Sequence, residues 1–204
     1  VREFFRSNAG YWIDEFHFDG LRLDATQQIF DSSDPHILTE IGRAVRQAAR
    51  GRETIVVVEN EPQLMSILRP EEAGGCGLDG IMNDDFHHSA MVALSGRNEA
   101  YYSDHLGSPQ EFVSSAKYGC LFQGQRYSWQ GGRRGSIGLD LPPWKFVNFL
   151  QNHDQVANSA TGERLQFLTS PGRYRALTAV LLLTPGTPLV FMGTELAQER
   201  EWDH

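Results

Sequence analysis

Long apolar runs, cysteine frameworks and basic clusters are all missing from this chain of 204 residues, and each absence removes a class of protein. The longest apolar stretch, around Ala176 to Leu183, is broken by Thr184-Pro185-Gly186, far short of the ~20 residues a membrane-spanning helix needs. Cys76 and Cys120 are the only cysteines, far apart and at no metal-like spacing. Reduced thiols in a cytoplasmic protein are therefore expected, with a single bridge between them as the alternative. No segment concentrates Lys or Arg, and 26 acidic against 18 basic residues give a formal net charge of −8. That balance speaks against nucleic-acid and anionic-membrane partners and favours neutral or polar small substrates. Short-period repeats, low-complexity segments and a linker that would mark a domain boundary are also missing. So are an initiator Met and a signal peptide: the chain opens on Val-Arg-Glu-Phe-Phe-Arg in a helical pattern and ends at Trp202-Asp203-His204. It is expected to be a fragment, which leaves the lack of targeting signals with little weight.

What is present suits a globular fold, with 40% hydrophobic and 22% charged residues. Val1, Phe4, Phe5, Trp12, Ile13 and Phe16 fall at helical spacing, with an irregularity at Gly10, and lead into a predicted strand from Phe18 to Asp24. Asp34-Pro35 starts a second helix running to about Arg50, stopped by Gly51, and Thr54 to Val58 is a β-branched run of the kind covered on both faces. These make a strand, helix, strand unit with parallel strands. Further strands are predicted at Leu78 to Met82, Phe146 to Leu150 and Pro188 to Met192, with helices starting at Ser89 and Ser108-Pro109 and another over Arg173 to Leu183. The Gly-, Arg- and Pro-rich run from Gln123 to Pro143 reads as a long surface loop.

Each predicted strand carries polar or acidic residues just past its C-terminal end: Asp24, Glu59, Asp84 and Asp85, His153 and Asp154, and Glu195. A (β/α)8 barrel has this pattern, because its active site is built from loops at the C-terminal face. Eight strands need about 250 residues, so five predicted strands fit the latter part of a barrel, about strands 4 to 8. On this reading residues 1–204 are part of one catalytic barrel, lacking its first strands and any flanking domains.

The stretch Phe18-Asp19-Gly20-Leu21-Arg22-Leu23-Asp24 holds the best clue to chemistry. Strand alternation puts Gly20, Arg22 and Asp24 on one face and Leu21 and Leu23 on the other. A buried structural ion pair would read the same way from this stretch alone. Asp24, Glu59 and Asp154, on separate strand ends, are suitable groups for cleaving a glycosidic bond through an oxocarbenium-like transition state. Arg22 beside Asp24 favours an ionised carboxylate, suited to a nucleophile, whereas Glu59 follows an apolar strand with no neighbouring cation in sequence. Its desolvation would raise its pKa toward that of a general acid. Glu61 is the rival donor; Glu59 is favoured because it directly follows the strand.

Phe18-Asp-Gly-Leu-Arg-Leu-Asp24, Val56-Val-Val-Glu59 and Asn152-His153-Asp154 resemble, in order, the nucleophile, acid/base and third-carboxylate motifs of the α-amylase superfamily, glycoside hydrolase family 13. The resemblance implies Asp24 as nucleophile, Glu59 as acid/base, Asp154 as the residue that distorts the sugar and stabilises the transition state, and Arg22 and His153 as supporting contacts. Asn83-Asp-Asp-Phe-His-His88, Tyr101-Tyr102-Ser-Asp-His105, Tyr118 to Gln125 and Phe146 to Gln155 are similar to the malto-oligosyltrehalose trehalohydrolases within that superfamily. That similarity implies cleavage of the α-1,4 bond next to a terminal trehalose. Asp84, Asp85, His87, His88, Asn152, His153, Gln155 and Asn158 would then line sugar subsites on malto-oligosyltrehalose or a related α-glucan, with no cofactor. The closing segment Phe191 to His204 is instead similar to glycogen-branching enzymes, and the family's early Asn-His motif is missing.

Blander alternatives accompany several of these residues. His87 and His88 lack the further His or Cys needed to read as a metal site, so no metal is expected, and a capped helix start accounts for them as well as sugar contact does. Arg133 and Arg134 read as a solvated turn. Trp12 and Trp144 read as core or rim residues, and Trp129 as a candidate for stacking on a sugar. A non-catalytic carbohydrate-binding or partner-binding barrel is the alternative from another class, although such a protein is expected to lose a catalytic carboxylate.

Overall fold

The computed structural model describes residues 1–159 and 162–198, and the chain divides into two compact units, Val1–Met82 and Asn83–His204. In the first unit, helix α1 (Arg2–Glu15) runs unbroken through Gly10 and packs on α2 (Ile37–Ala48). The contact is apolar, through Ala9 and Ile13 on α1 and Ile37, Leu38, Ile41 and Val45 on α2, whereas Val1, Phe4, Phe5, Trp12 and Phe16, which set the predicted spacing of α1 with Ile13, are exposed. Polar groups close the helix ends. Arg52 donates to the carbonyl of Ile13 at 2.7 Å, and His36 Nδ1 and Asp31 accept the amides of Leu38 and Ile37.

Three short strands, β1 (Gly20–Leu23), β2 (Ile55–Val58) and β3 (Gly80–Met82), pair in parallel. Gly20 lies opposite Ile55 and Leu23 opposite Val58, so Asp24 and Glu59 follow their strands at the same level. Gly20 is needed for the approach itself: a Cβ there would stand 2.1 Å from the carbonyl oxygen of Ile55. The expectation that β2 is covered on both faces fails among the described residues. Val56 and Val58 are fully buried, but Ile55 is 59% exposed.

In the second unit, α3 (Asp84–Ser95) starts five residues earlier than the sequence pattern suggests. Asn83 caps it by accepting the amide of Phe86, and its own amide donates to the carbonyl of Gly119 and to Asn148. Phe86, Ala90, Leu94, Leu150, Leu165, Leu177 and Leu181 form the core between α3, the end of β6 (Phe146–Phe149) and α6 (Pro171–Leu183). β6 pairs in parallel with β7 (Thr187–Leu189), and α4 (Pro109–Tyr118) opens at the predicted Ser108-Pro109. The run from Gln123 to Pro143 is not a plain loop. It contains an antiparallel hairpin of β4 (Gln123–Tyr127) and β5 (Gly132–Gly135). After β6, Asn152 caps the short helix α5 (His153–Ala157). Among the described residues no helix is long and apolar enough to cross a membrane. The closing residues Glu199 to His204 of the branching-enzyme-like segment lie outside the described residues.

Candidate active site

At the ends of β1 and β2 one guanidinium serves two carboxylates. Arg22 Nη1 lies 2.8 Å from Asp24 Oδ1, and its Nη2 lies 3.0 Å from Glu59 Oε2. Arg22 and Asp24 thus share a face, as strand alternation requires, but the pair is not a buried structural bridge: the Asp24 side chain is 76% exposed. The reading of Glu59 as a carboxylate without a cation is corrected here. Its cation comes from the neighbouring strand, a partner that linear sequence spacing cannot reveal.

Glu59 is tied further by the amide of Ala25, which donates to Oε2 at 3.0 Å. Burial raises the Glu59 carboxyl above its ordinary value, the Ala25 amide and the Arg22 charge oppose that shift, and a hydrogen bond to Asp24 and its charge add to it, for a net rise. A carboxyl with a raised pKa beside a solvent-accessible carboxylate is an arrangement that can pair a proton donor with a nucleophile. Glu61 stands two residues on, where its amide is bonded by Gln27.

In the second unit, α5 carries the Asn-His-Asp motif. Asn152 Oδ1 accepts the amide of Asp154 at 2.8 Å while Gln155 Oε1 accepts that of Asn152 at 2.8 Å, a reciprocal cap that fixes the first turn. His153 Nε2 is 3.3 Å from Asp154 Oδ1, and both side chains remain accessible, 47% and 40% exposed. A cavity of about 250 Å³ is bordered by Gln155, Asn158, Tyr101, Tyr102 and Gln151. Trp129 sits at the hairpin turn, 54% exposed, its amide held by Asp104 at 3.0 Å.

The Asn83 to His88 segment is assigned differently from the expectation of direct sugar contact. Asp84 is partly exposed, but Asp85, His87 and His88 lie inside. Asp85 accepts from Arg134 Nε and from the amide of Phe122, each at 2.8 Å, and both members of the Asp85–Arg134 pair are fully buried. His87 Nδ1 bonds the carbonyl of Leu150 at 2.6 Å and its ring stacks on Phe149. Burial pushes the His87 imidazole down to about 4, and His88 and His105 are lowered by the same cause. Asn followed by two acids before an apolar run is an N-cap signature that could have announced this helix start. Arg134 was the residue that sequence reasoning missed outright, as an Arg pair among glycines looks like a solvated turn.

Asp85, His88 and His105 bring ligand atoms within 4.8 Å of one another. The guanidinium on Asp85 and the contacts of His105 with His88 and Ser89, both 3.3 Å, describe a hydrogen-bonded network instead. A divalent cation there would have to share its carboxylate with Arg134.

The comparisons with known proteins agree with these motifs. No family model matches the chain. The chain is similar to malto-oligosyltrehalose trehalohydrolases from Saccharolobus solfataricus, at 38% identity over 98% of this chain and 35% of the relative, and from Deinococcus radiodurans, at 35% identity over 97% and 32%. It is also similar to a 1,4-alpha-glucan branching enzyme from Burkholderia thailandensis, at 30% identity over 100% of this chain and 24% of that protein. Among solved structures, a Salmonella typhimurium protein assigned as an alpha amylase matches with a TM-score of 0.90 at 37% identity, over 98% of this chain and 35% of that one. An alpha-amylase from H. orenii shares the fold at 19% identity, with a TM-score of 0.52 over 100% and 36%. The α/β fold is therefore of α-amylase type, and the chain spans about a third of the length of the curated relatives it matches.

Proposed function

We propose that the protein takes part in retaining cleavage of an α-glucan, breaking the α-1,4 bond next to the terminal trehalose unit of malto-oligosyltrehalose. The observation that carries this is the Arg22 bridge between Asp24 and Glu59 at the ends of two adjacent parallel strands. In this reading Asp24 attacks the anomeric carbon while Glu59 gives its proton to the leaving oxygen, so trehalose departs and the malto-oligosaccharide becomes bonded to Asp24. Glu59, now ionised, takes a proton from water. The hydroxide attacks the same carbon, Asp24 leaves, and the shortened oligosaccharide is freed with net retention. One guanidinium within 3.0 Å of both carboxylates holds them close together, which supports a retaining course over the wider gap that an inverting enzyme leaves for its water.

Asp154 is proposed as the third carboxylate, with His153, Asn152, Gln155, Asn158 and Asp84 as sugar contacts. Support comes from the open His153–Asp154 pair and from the cavity bordered by Gln155 and Asn158. Asp85, His87 and His88 act in this reading from below the surface, by holding the hairpin and α3. The strands are proposed to be about the fourth to eighth of a (β/α)8 barrel, and the setting to be cytoplasmic, in keeping with free thiols at Cys76 and Cys120.

Similarity to a branching enzyme favours one second reading, in which a glucan 6-hydroxyl and not water intercepts the glycosyl-enzyme. Incubating the full-length protein with malto-oligosyltrehalose and, separately, with a linear glucan distinguishes the two. Free trehalose is expected from the first; new α-1,6 branches in the second would overturn the hydrolase reading.

A further inference from the structure

The two residues after Asp24 are held more tightly than strand pairing requires. Ala25 stands in the left-handed region at φ 43° and ψ 47°, a conformation unfavourable for a residue that carries a Cβ. That twist turns its amide onto Glu59 Oε2. Thr26, buried at 3% exposure, then donates twice to the main-chain carbonyl of Glu59, from its amide at 3.0 Å and from its hydroxyl at 2.7 Å. The same hydroxyl accepts from Asn60 Nδ2 at 3.1 Å, and Asn60, 2% exposed, accepts the amide of Leu64 at 3.0 Å. One carboxylate-bearing residue is thus gripped at its side chain by Ala25 and at its carbonyl by Thr26.

We propose that Thr26 is a positioning residue: its two hydrogen bonds to the Glu59 carbonyl oxygen, backed by Asn60, keep the strained Ala25 amide against the Glu59 carboxyl and so set the pH range over which Glu59 is protonated. This rests on the reading of Glu59 as acid/base. The physical reason is local. An amide donor favours the ionised carboxylate, and Ala25 keeps its unfavourable backbone only while the next residue is anchored. Releasing Thr26 lets Ala25 relax and withdraws the donor, leaving burial and the neighbouring Asp24 to raise the Glu59 carboxyl further, against the charge of Arg22 alone. The general acid then stays protonated to higher pH.

The test is the pH dependence of kcat/KM for trehalose release by the full-length protein, whose basic limb reports the free-enzyme acid. Thr26→Val keeps the volume and the amide but removes the hydroxyl; its basic limb is expected to move up by about one pH unit. Thr26→Ser, which restores the hydroxyl, is expected to return the limb to the wild-type position. Asn60→Ala is expected to move it in the same direction by less, and it decides the matter if Thr26→Val does not fold. A merely structural Thr26 would lower activity equally at every pH, so an unmoved limb in folded Thr26→Val, or in Asn60→Ala where only that variant folds, overturns the proposal. Glu59→Gln separates the two layers. If it is inactive while the limb stays fixed in the clamp variants, only the role of Thr26 falls. If it keeps wild-type activity, the reading of Glu59 falls and the proposal with it.

Discussion

Among the described residues, two of the Arg–Asp pairs share a length and differ in setting. Arg22 meets Asp24 at 2.8 Å and Arg134 meets Asp85 at 2.8 Å, yet the Asp24 side chain is 76% exposed and that of Asp85 not at all. Distance therefore does not separate chemistry from architecture. Access does, together with what else occupies the carboxylate. Asp85 has one oxygen on Arg134 and the other on the Phe122 amide, which ties the hairpin to α3. Asp24 shares its guanidinium with a second, protonatable carboxyl and faces solvent.

The sharpest way to break the comparison is to neutralise each side. Glu59→Gln or Asp24→Asn in the full-length protein should lower kcat/KM for glycosidic cleavage by about 10³-fold, with the urea midpoint little changed. Intact function in Asp24→Asn would instead favour a binding-only protein. Arg134→Ala should do the reverse and lose about 3 kcal/mol or more of stability, because it strands a buried carboxylate. The double variant Asp85→Leu with Arg134→Met should recover part of that loss, since an apolar pair removes the stranded charge but leaves the Phe122 amide without its acceptor. A urea midpoint in Arg134→Ala matching wild type would show that the pair does not hold the hairpin.

A smaller effect is read by pH. His87 is held neutral by burial, with its imidazole lowered to about 4. Between the ordinary histidine value near 6.5 and about 4, the unfolded chain binds a proton that the folded chain refuses, so stability falls as pH drops through that window and levels off below it. The share of His87 is about 3 kcal/mol across the window. His87→Phe, chosen because His87 stacks on Phe149 at 5.4 Å, gives up the bonds to Leu150 and Tyr102 but should flatten the slope by one proton. Denaturation midpoints at pH 7 and pH 4.5 measure the difference; an unchanged slope would place the titration elsewhere.

These settings explain what was legible in the sequence. The placing of Arg22 and Asp24 on one face was readable because strand alternation is a local rule. So were α1, α2 and the short parallel strands, since apolar spacing reports the period of an element, although in α1 only Ile13 of the residues that set that spacing is buried. The contact of Arg22 with Glu59 was not readable, because it depends on the register that sets Leu23 beside Val58. The hairpin was hidden for a different reason. Gly124, Gly131, Gly132 and Gly135 mark turns whether or not strands lie between them, and the burial of Arg134 comes from an acid 49 residues away. The N-terminus of α3 was misread because Asn83, Asp84 and Asp85 suit a cap as well as a polar strand end.

Asn152 lies between the two settings and gives the smallest effect. It is 7% exposed and spends both its side-chain oxygen and its amide on the first turn of α5, with His153 and Asp154 as the accessible residues of that turn. Asn152→Ala should therefore cost about 1 kcal/mol through loss of the cap. Asn152→Asp should keep most of that stability, because a carboxylate can accept the same amide and suits a helix N-terminus. The two variants divide architecture from recognition at one position. A residue valued only as a sugar contact would lose glucan affinity in both variants and stability in neither. A cap must lose stability in Asn152→Ala and keep it in Asn152→Asp, as chemical denaturation of the two variants would show.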